Sequence, residues 1–497
     1  MDAGIQKSKR THERNIELQR ADIKEIRKNK KSEKAKPGRR QKEKPPEIVD
    51  ADQIKICADH FFPKDLLNKW ISKISDPRMQ DMCTYDLKHL TWLGLLMFLL
   101  RLESRRQLLK ERETECFRLN LLALSGTDED QVAHPDTLNY LLEFVPVEEL
   151  EKVKVKMIRQ LIKDKRLDTF RLGGKFRIAI DGTQLFSFSE QHCEHCLKTE
   201  HSSGIVTWSH KILEAKLVAE NGLALSVCSE PIENENGVYD KQDCELKAFY
   251  RLEKKLKKAF PRTPFCLLLD GLYACQDVFD ICRNRNWEYI IILKKGRIPT
   301  LFDEAMLKKE SSPENTMDVI IDKTTKQKLS WVYYLKYGKN YVHVLFCEER
   351  RIEKGEEVIV NWVWVSSFVP DKDNIKKLVN KGGRQRWKIE NQGFKEQKKD
   401  DFGLEHLYGE DPNAWKNYYQ LLQIAHMLDQ LIRYGDFCKK LQEHSMKRQN
   451  KPILPFREYY QSTRNFIKRL AESFRTKFFS ELAYTLIGNI QIRFDSG

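Results

Sequence analysis

FRIAIDG (residues 176–182) is a short apolar run that delivers one acid, Asp181, immediately before a glycine. The pattern returns in FCLLLDG (residues 265–271), where Asp270 precedes Gly271. Apolar runs of this length, bounded by turn residues, read as buried strands. In an open α/β sheet, an acid at the carboxyl end of such a strand stands at the mouth of the sheet, where ligands bind. The glycine that follows lets backbone or substrate come close. Two such strands in one sheet predict that Asp181 and Asp270 face the same ligand.

Around these stretches the pattern alternates between strand and helix. SHKILEAKLVA (209–219) and LALSVCSEPI (223–232), joined by Glu-Asn-Gly, read as a hairpin. DCELKAFYRLEKKLKKAF (243–260) reads as an amphipathic helix capped by Asp243, and EYIIILKKG (288–296) as a further strand. MDVIID, KLSWVYYLKY, YVHVLFCEE and VIVNWVWVSSF then form a β-rich segment, with the insertion itself bounded at about residues 297–357. The predicted fold class is α/β, a mixed sheet with helices, over residues 176–440. Residues 49–175 show three- and four-residue apolar spacing throughout and predict an all-helical segment for DNA binding or dimer contact, with Asp136 and Thr137 starting one helix. Residues 441–497 read as a C-terminal helical segment. Residues 1–48 lack aromatics and predict an arm that is disordered or becomes helical on binding.

The chain of 497 residues carries 88 Lys and Arg against 73 Asp and Glu, a net +15. The excess sits at two poles: residues 1–48 hold 16 basic against 8 acidic residues, and residues 374–399 hold 9 against 2. Two basic poles on a nearly neutral body point to a polyanion, with double-stranded DNA as the expected partner. Twelve scattered cysteines predict a reducing compartment. The most apolar run, LTWLGLLMFLL (90–100), is far shorter than the roughly 18 residues of a membrane span. The expectation is a cytoplasmic, nucleoid-associated protein without membrane contact.

RWKIENQGFKEQKK (386–399) supplies a third carboxylate, Glu390, among Arg386, Lys388, Lys395 and Lys398. A two-metal phosphodiester site needs at least three carboxylates around its cations, and Mg²⁺ (or Mn²⁺) takes oxygen ligands of this kind. Asp181, Asp270 and Glu390 are therefore the expected ligands of two ions, and the four basic side chains are expected on DNA phosphates. Trp387 is expected to pack against the sheet, with stacking on a base as the alternative.

AIDGTQ, LLLDGLYA and RWKIENQGFKEQK, in this order, resemble the DDE transposases of bacterial insertion sequences. The resemblance is to the branch whose RNase H-like domain carries a β-rich insertion between the second Asp and the Glu. The spacings, 89 residues from Asp181 to Asp270 and 120 from Asp270 to Glu390, leave room for that insertion. The resemblance implies an RNase H-like sheet, a catalytic triad of Asp181, Asp270 and Glu390, cleavage at inverted-repeat ends, transfer of 3′-hydroxyls into target DNA, and a homodimer pairing two ends. Arg386 matches the arginine of the family's Tyr-x2-Arg-x3-Glu-x6-Lys signature. Gly383 stands at the tyrosine position and Gln397 at the lysine position, with Lys398 one residue later. Relatives that pass through a hairpin use a tryptophan in the insertion; Trp331, Trp362 and Trp364 lie there, and core packing is the expectation for each. The alternatives are an RNase H-like hydrolytic nuclease and a domesticated, non-catalytic DNA-binding protein.

HCEHCLKTEH (192–201) contains Cys193-x2-Cys196. Two reduced cysteines are the expectation; the alternative is a structural zinc on Cys193, Cys196, His201 and His210.

Overall fold

The computed structural model describes residues 48–234, 237–239, 241–446, 452–486 and 491–494. The predicted arm falls outside them, except for Ile48. Residues 48–175 are mainly helical, with helices at Asp52–Phe61, Leu66–Ile71, Leu87–Leu99, Arg105–Glu111, Glu115–Ser125, Pro135–Phe144 and Val147–Lys163. The apolar run 90–100 lies mostly in Leu87–Leu99, which starts where the Asp86 carboxylate accepts the Lys88 N–H and is buried on nearly every side. The helix Pro135–Phe144 begins one residue earlier than predicted: His134 caps it by accepting the Asp136 N–H, so Asp136 and Thr137 lie inside the first turn.

The long helix Pro412–Tyr434 runs against Leu87–Leu99, Pro135–Phe144, Val147–Lys163 and the strand Ala224–Ile232. Gly94 marks its closest approach, since a Cβ there would lie 2.7 Å from Leu421 Cδ1. Much of this helix is polar in sequence yet buried, because its polar side chains satisfy backbone groups of its neighbours. Asn417 donates to the Leu142 and Val145 carbonyls, and Gln430 Oε1 accepts the Ala224 N–H. C-terminal helices Phe456–Tyr460, Thr463–Thr476 and Glu481–Thr485 fold back onto the first helix. There Tyr460 and Arg469 donate to Asp50, Ser473 Oγ accepts the Ala51 N–H, and the Ser480 N–H donates to Asp52.

The α/β body is a ten-stranded mixed sheet. Its strands are β1 Phe176–Phe188, β2 Leu197–Glu200, β3 Val206–Val218, β4 Ala224–Ile232, β5 Phe265–Leu269, β6 Glu288–Ile292, β7 Thr316–Ile320, β8 Thr325–Tyr337, β9 Asn340–Glu353 and β10 Glu356–Ser366. They follow the order β2–β3–β1–β5–β6–β10–β9–β8–β7, with β4 also on β3. Strands β1, β5 and β6 are parallel, while β3 is antiparallel to both β1 and β4. The hairpin predicted at 209–232 is β3–β4.

Two boundaries differ from the sequence reading. Asp181 does not end its strand: β1 continues to Phe188 because it pairs with β3 from Ile178 to Phe188, with Asp181 opposite Glu214. Pairing with β5 covers only Phe176 to Ala179, so Asp181 stands just beyond the point where β1 outruns β5. The β-rich stretch also differs from a separate insertion over 297–357. It opens with a helix, Pro299–Glu310, and its last strand, β10, reaches Ser366 and pairs with β6 through Val365 opposite Ile291. Capping the exposed edge of β6 merges the stretch into the same sheet.

Candidate active site

Asp181 and Asp270 emerge from adjacent parallel strands, Asp181 in the part of β1 beyond β5 and Asp270 at the end of β5. Asp270 opens a tight turn in which its carbonyl accepts the Tyr273 N–H. Glu390 arrives on a helical run from Ile375 to Lys399 with wide π-type turns at Leu378–Gly382 and Ile389–Lys395. Such turns recur at functional sites. The run lies tight on the sheet because it is glycine at each close approach. A Cβ would come within 2.5 Å of Ile290 Cδ1 at Gly382, 2.6 Å of the Trp364 indole at Gly383, and 3.0 Å of the Lys216 side chain at Gly393. Gly383 holds the position where the family signature has tyrosine, and no larger side chain fits beneath Trp364.

Arg386 bridges two of the acids. Its Nη1 lies 3.4 Å from Asp181 Oδ2 and its Nη2 2.5 Å from Glu390 Oε1. Asp270 has a looser cation, Lys294 Nζ, at 3.7 Å. A fourth carboxylate, missed in the sequence reading, completes the cluster. Glu245 begins the helix Glu245–Ala259, and its Oε1 lies 2.5 Å from where a Cβ on Gly182 would sit. The glycine after Asp181 therefore makes room for Glu245. Asp243 was the predicted cap of this helix, but its carboxylate is taken by Arg251 and the Glu233 N–H; Cys244 occupies the cap position and makes no side-chain bond. The available signal was an acid in a first helical turn, two residues after Asp243.

Crowding raises the proton affinity of Asp181 and Glu245. Burial first, with the negative charges of Glu390 and Glu245 added and Arg386 opposing, pushes the Asp181 carboxyl up to about 7. Burial and then the Asp270 carboxylate, outweighing Lys211, hold Glu245 above its ordinary value. The buried Tyr273 phenol is pushed up by burial and by Glu245, Asp181 and Asp270. Glu214, opposite Asp181 on β3, does not join them, because its carboxylate accepts from Ser226, Ser229 and Tyr419. An oxygen-only donor set with too little positive charge suits a hard divalent cation. Asp181, Asp270 and Glu390 would hold it, with Glu245 beside them.

The basic neighbours divide. Lys388 Nζ donates to the Glu220 carbonyl at 3.2 Å, while Lys398 Nζ reaches the Gln184 carbonyl at 3.2 Å and Glu405 at 2.8 Å. Lys395 is exposed, with no ion-pair partner among the described residues. Trp387 was expected to pack against the sheet, but it is 43% exposed with Lys388 Nζ 5.3 Å above its ring. The helical run turns its inner face with Ile389, Gly393 and Phe394, which leaves Trp387 outside. Gln397, at the family's lysine position, is fully buried and exchanges hydrogen bonds with Gln423, whose oxygen also accepts from Lys216 at 2.6 Å. Trp331 and Trp364 are core residues. Trp362 is partly buried, stacks on Trp364 and has Arg384 4.8 Å above it.

Of the alternative zinc ligands, Cys193, Cys196 and His210 come together and His201 does not. His201 is exposed, with its Nε2 2.9 Å from Thr207 Oγ1; His192 takes the fourth place.

No protein-family model matches the chain, and no curated protein matches it significantly. Among the described residues no helix is long and apolar enough to cross a membrane.

Proposed function

We propose that the protein is a DDE-type DNA transposase with an RNase H-like catalytic core, acting on double-stranded DNA as a dimer that pairs two element ends. One observation carries the reading: Asp181 and Asp270 leave neighbouring parallel strands, and the helical run brings Glu390 to the same Arg386 guanidinium that pairs with Asp181. The β4–β3–β1–β5–β6 arrangement, three parallel strands flanked by an antiparallel pair, supports the RNase H-like assignment.

In this reading water attacks the phosphorus at an element end. The P–O3′ bond breaks, leaving a 3′-hydroxyl on the element and a 5′-phosphate on the flank. The 3′-hydroxyl then attacks a target phosphodiester and displaces a target 3′-oxygen, so each step exchanges one P–O bond for another. Two Mg²⁺ ions (or Mn²⁺) held by the triad would activate the attacking oxygen and stabilise the leaving one. The chain's own residues orient the DNA. Exposed Lys395 and Trp387 face the solvent side of the run and meet phosphate and base, while Lys388 and Lys398 tie the run to the Glu220 and Gln184 carbonyls. Arg386 neutralises Asp181 and Glu390 and fixes their spacing.

The test is to incubate full-length protein with Mg²⁺ and DNA carrying both flanks of its own gene, and to map cuts at nucleotide resolution. Paired cuts at inverted repeats followed by joining of the 3′-hydroxyls are expected. Asp270→Asn is expected to keep DNA binding and lose cleavage. Unpositioned nicks without joining would identify a hydrolytic nuclease, and tight binding without cutting a domesticated DNA-binding protein. Wild-type cleavage by Asp270→Asn would remove the proposed site.

A further inference from the structure

We propose that His192, Cys193, Cys196 and His210 form a structural Zn²⁺ site that clasps the far end of the β1–β3 pair. The inference is independent of the DNA chemistry proposed above. One ligand atom from each of the four residues lies within 4.8 Å of the others. A tetrahedral ion with Zn–S of about 2.3 Å and Zn–N of about 2.0–2.1 Å spaces two sulfurs roughly 3.8 Å apart and a sulfur and nitrogen roughly 3.5 Å apart. The observed separations are 3.8 Å for Cys193 Sγ to Cys196 Sγ, and 3.5 and 3.4 Å from these sulfurs to His210 Nε2. Three atoms thus already mark one face of a zinc tetrahedron.

A pair of thiols with a histidine acceptor would explain that face without a metal. It leaves two features unexplained. The fourth donor, His192, stands over the same point with its ring perpendicular to that of His210, at 88° and 5.8 Å between centroids. Its Nδ1, like that of His210, is buried with no hydrogen-bond partner among the described residues, a costly state for a ring nitrogen unless a ligand completes it. The Cys196 N–H donates to the Cys193 carbonyl, closing the turn that sets the two sulfurs side by side. Phe188 stacks on His192 at 4.6 Å, and Trp415 lies 5.1 Å from His210, giving the apolar shell that closes a structural site.

The soft donor set selects Zn²⁺ over the hard cations suited to the carboxylate cluster. Binding converts two thiols to thiolates and releases two protons. The clasp joins the residues just past β1, the Cys193–Cys196 turn and β3. It continues through Asn234, which donates to the Cys196 carbonyl at 2.8 Å and accepts the Asp243 N–H at 3.1 Å. Gln242 brackets the Lys198 backbone in the same way, at 2.7 and 2.9 Å. The helix Glu245–Ala259 starts directly after these residues, so the clasp borders its first turn.

The test is the metal content of the full chain purified under reducing conditions and reconstituted with Zn²⁺, followed by displacement with Co²⁺. About one zinc per chain is expected, together with the strong visible absorption of tetrahedral cobalt and a thiolate charge-transfer band. His192→Ala and Cys196→Ser are expected to weaken zinc binding at least about tenfold in a chelator competition, and His201→Ala to leave it unchanged. If Cys196→Ser fails to fold, the cobalt spectrum of the native chain still decides the matter. No zinc uptake, a cobalt spectrum without thiolate bands, or a loss in His201→Ala equal to that in His192→Ala would overturn the assignment.

Discussion

Replacing Asp181 with Asn isolates the electrostatic strain of the carboxylate cluster. In the folded chain the Asp181 carboxyl is pushed up to about 7, against an ordinary value of 3.8. The charged form is therefore disfavoured by folding. The sign follows directly: the Asp181 contribution to stability is fully present below the unfolded value and is lost as pH rises toward 7. At 1.36 kcal/mol per pK unit, the full loss is roughly 4 kcal/mol. Between about pH 5 and about pH 7 the wild type should fall relative to Asp181→Asn by about 1.4 kcal/mol per pH unit. Asp181→Asn also takes one partner from Arg386, but that cost is a constant offset, and the slope is what is read. Urea unfolding followed by tryptophan fluorescence in EDTA supplies it, and Mg²⁺ should flatten the wild-type curve while leaving the variant unmoved. Parallel curves for the two proteins across this range, with or without Mg²⁺, would refute the reasoning.

Glu245→Gln should retain DNA binding in a gel-shift assay and lower Mg²⁺-dependent cleavage by about tenfold, equivalent to about 1.4 kcal/mol; undiminished cleavage would remove Glu245 from the site. Gly383→Tyr should lower the urea midpoint by an amount equivalent to about 1–3 kcal/mol or more, because its Cβ would lie 2.6 Å from the Trp364 indole. A midpoint equal to the wild type's would show that Trp364 yields freely. Lys216 is fully buried, and burial lowers its ammonium to about 8. Its charged form is disfavoured in the folded chain, so wild-type stability should rise as pH increases from about 8 toward 10.5. Lys216→Met should remove that rise and gain up to roughly 3 kcal/mol at neutral pH, less about 1 kcal/mol for the lost bond to Gln423. The check is a pair of alkaline unfolding series, and an unchanged rise in the variant would contradict the burial argument.

Buried strands were legible wherever an apolar run was continuous, as in FRIAID and FCLLLD, and the β3–β4 hairpin was legible from its turn. The extension of β1 was not. GTQLFSF alternates small, polar and apolar residues, and only pairing with β3 makes it a strand. Asp243 shows the matching error for caps: a residue of the right type stood in the right place, and a tertiary partner, Arg251, claimed its oxygens. In the alternative zinc set, His201 was named where the structure brings His192 to the cysteines, for a similar reason. His192 lies four residues before Cys196 and His201 five after it, and the choice between them depends on the path of the loop. β2 pairs Glu200 with Val206 and carries His201 outward to Thr207, while the turn after β1 brings His192 inward against Phe188.

The basic run holding Glu390 shows most clearly what a linear reading omits. As a charge pattern, RWKIENQGFKEQKK is a surface helix whose cations all face solvent. The sequence also contains Gly382, Gly383 and Gly393, and each stands where a Cβ would strike the sheet. Seating the run this closely puts backbone carbonyls of β1 and of the β3–β4 turn within reach of Lys398 and Lys388. It also buries Gln397, where a lysine would have to leave its charge beside the already buried Lys216. The wide turns then set Arg386 over Asp181 while Glu390 stays half exposed. The glycines, more than the charges, decide which of the basic side chains hold the run in place and which remain for a ligand.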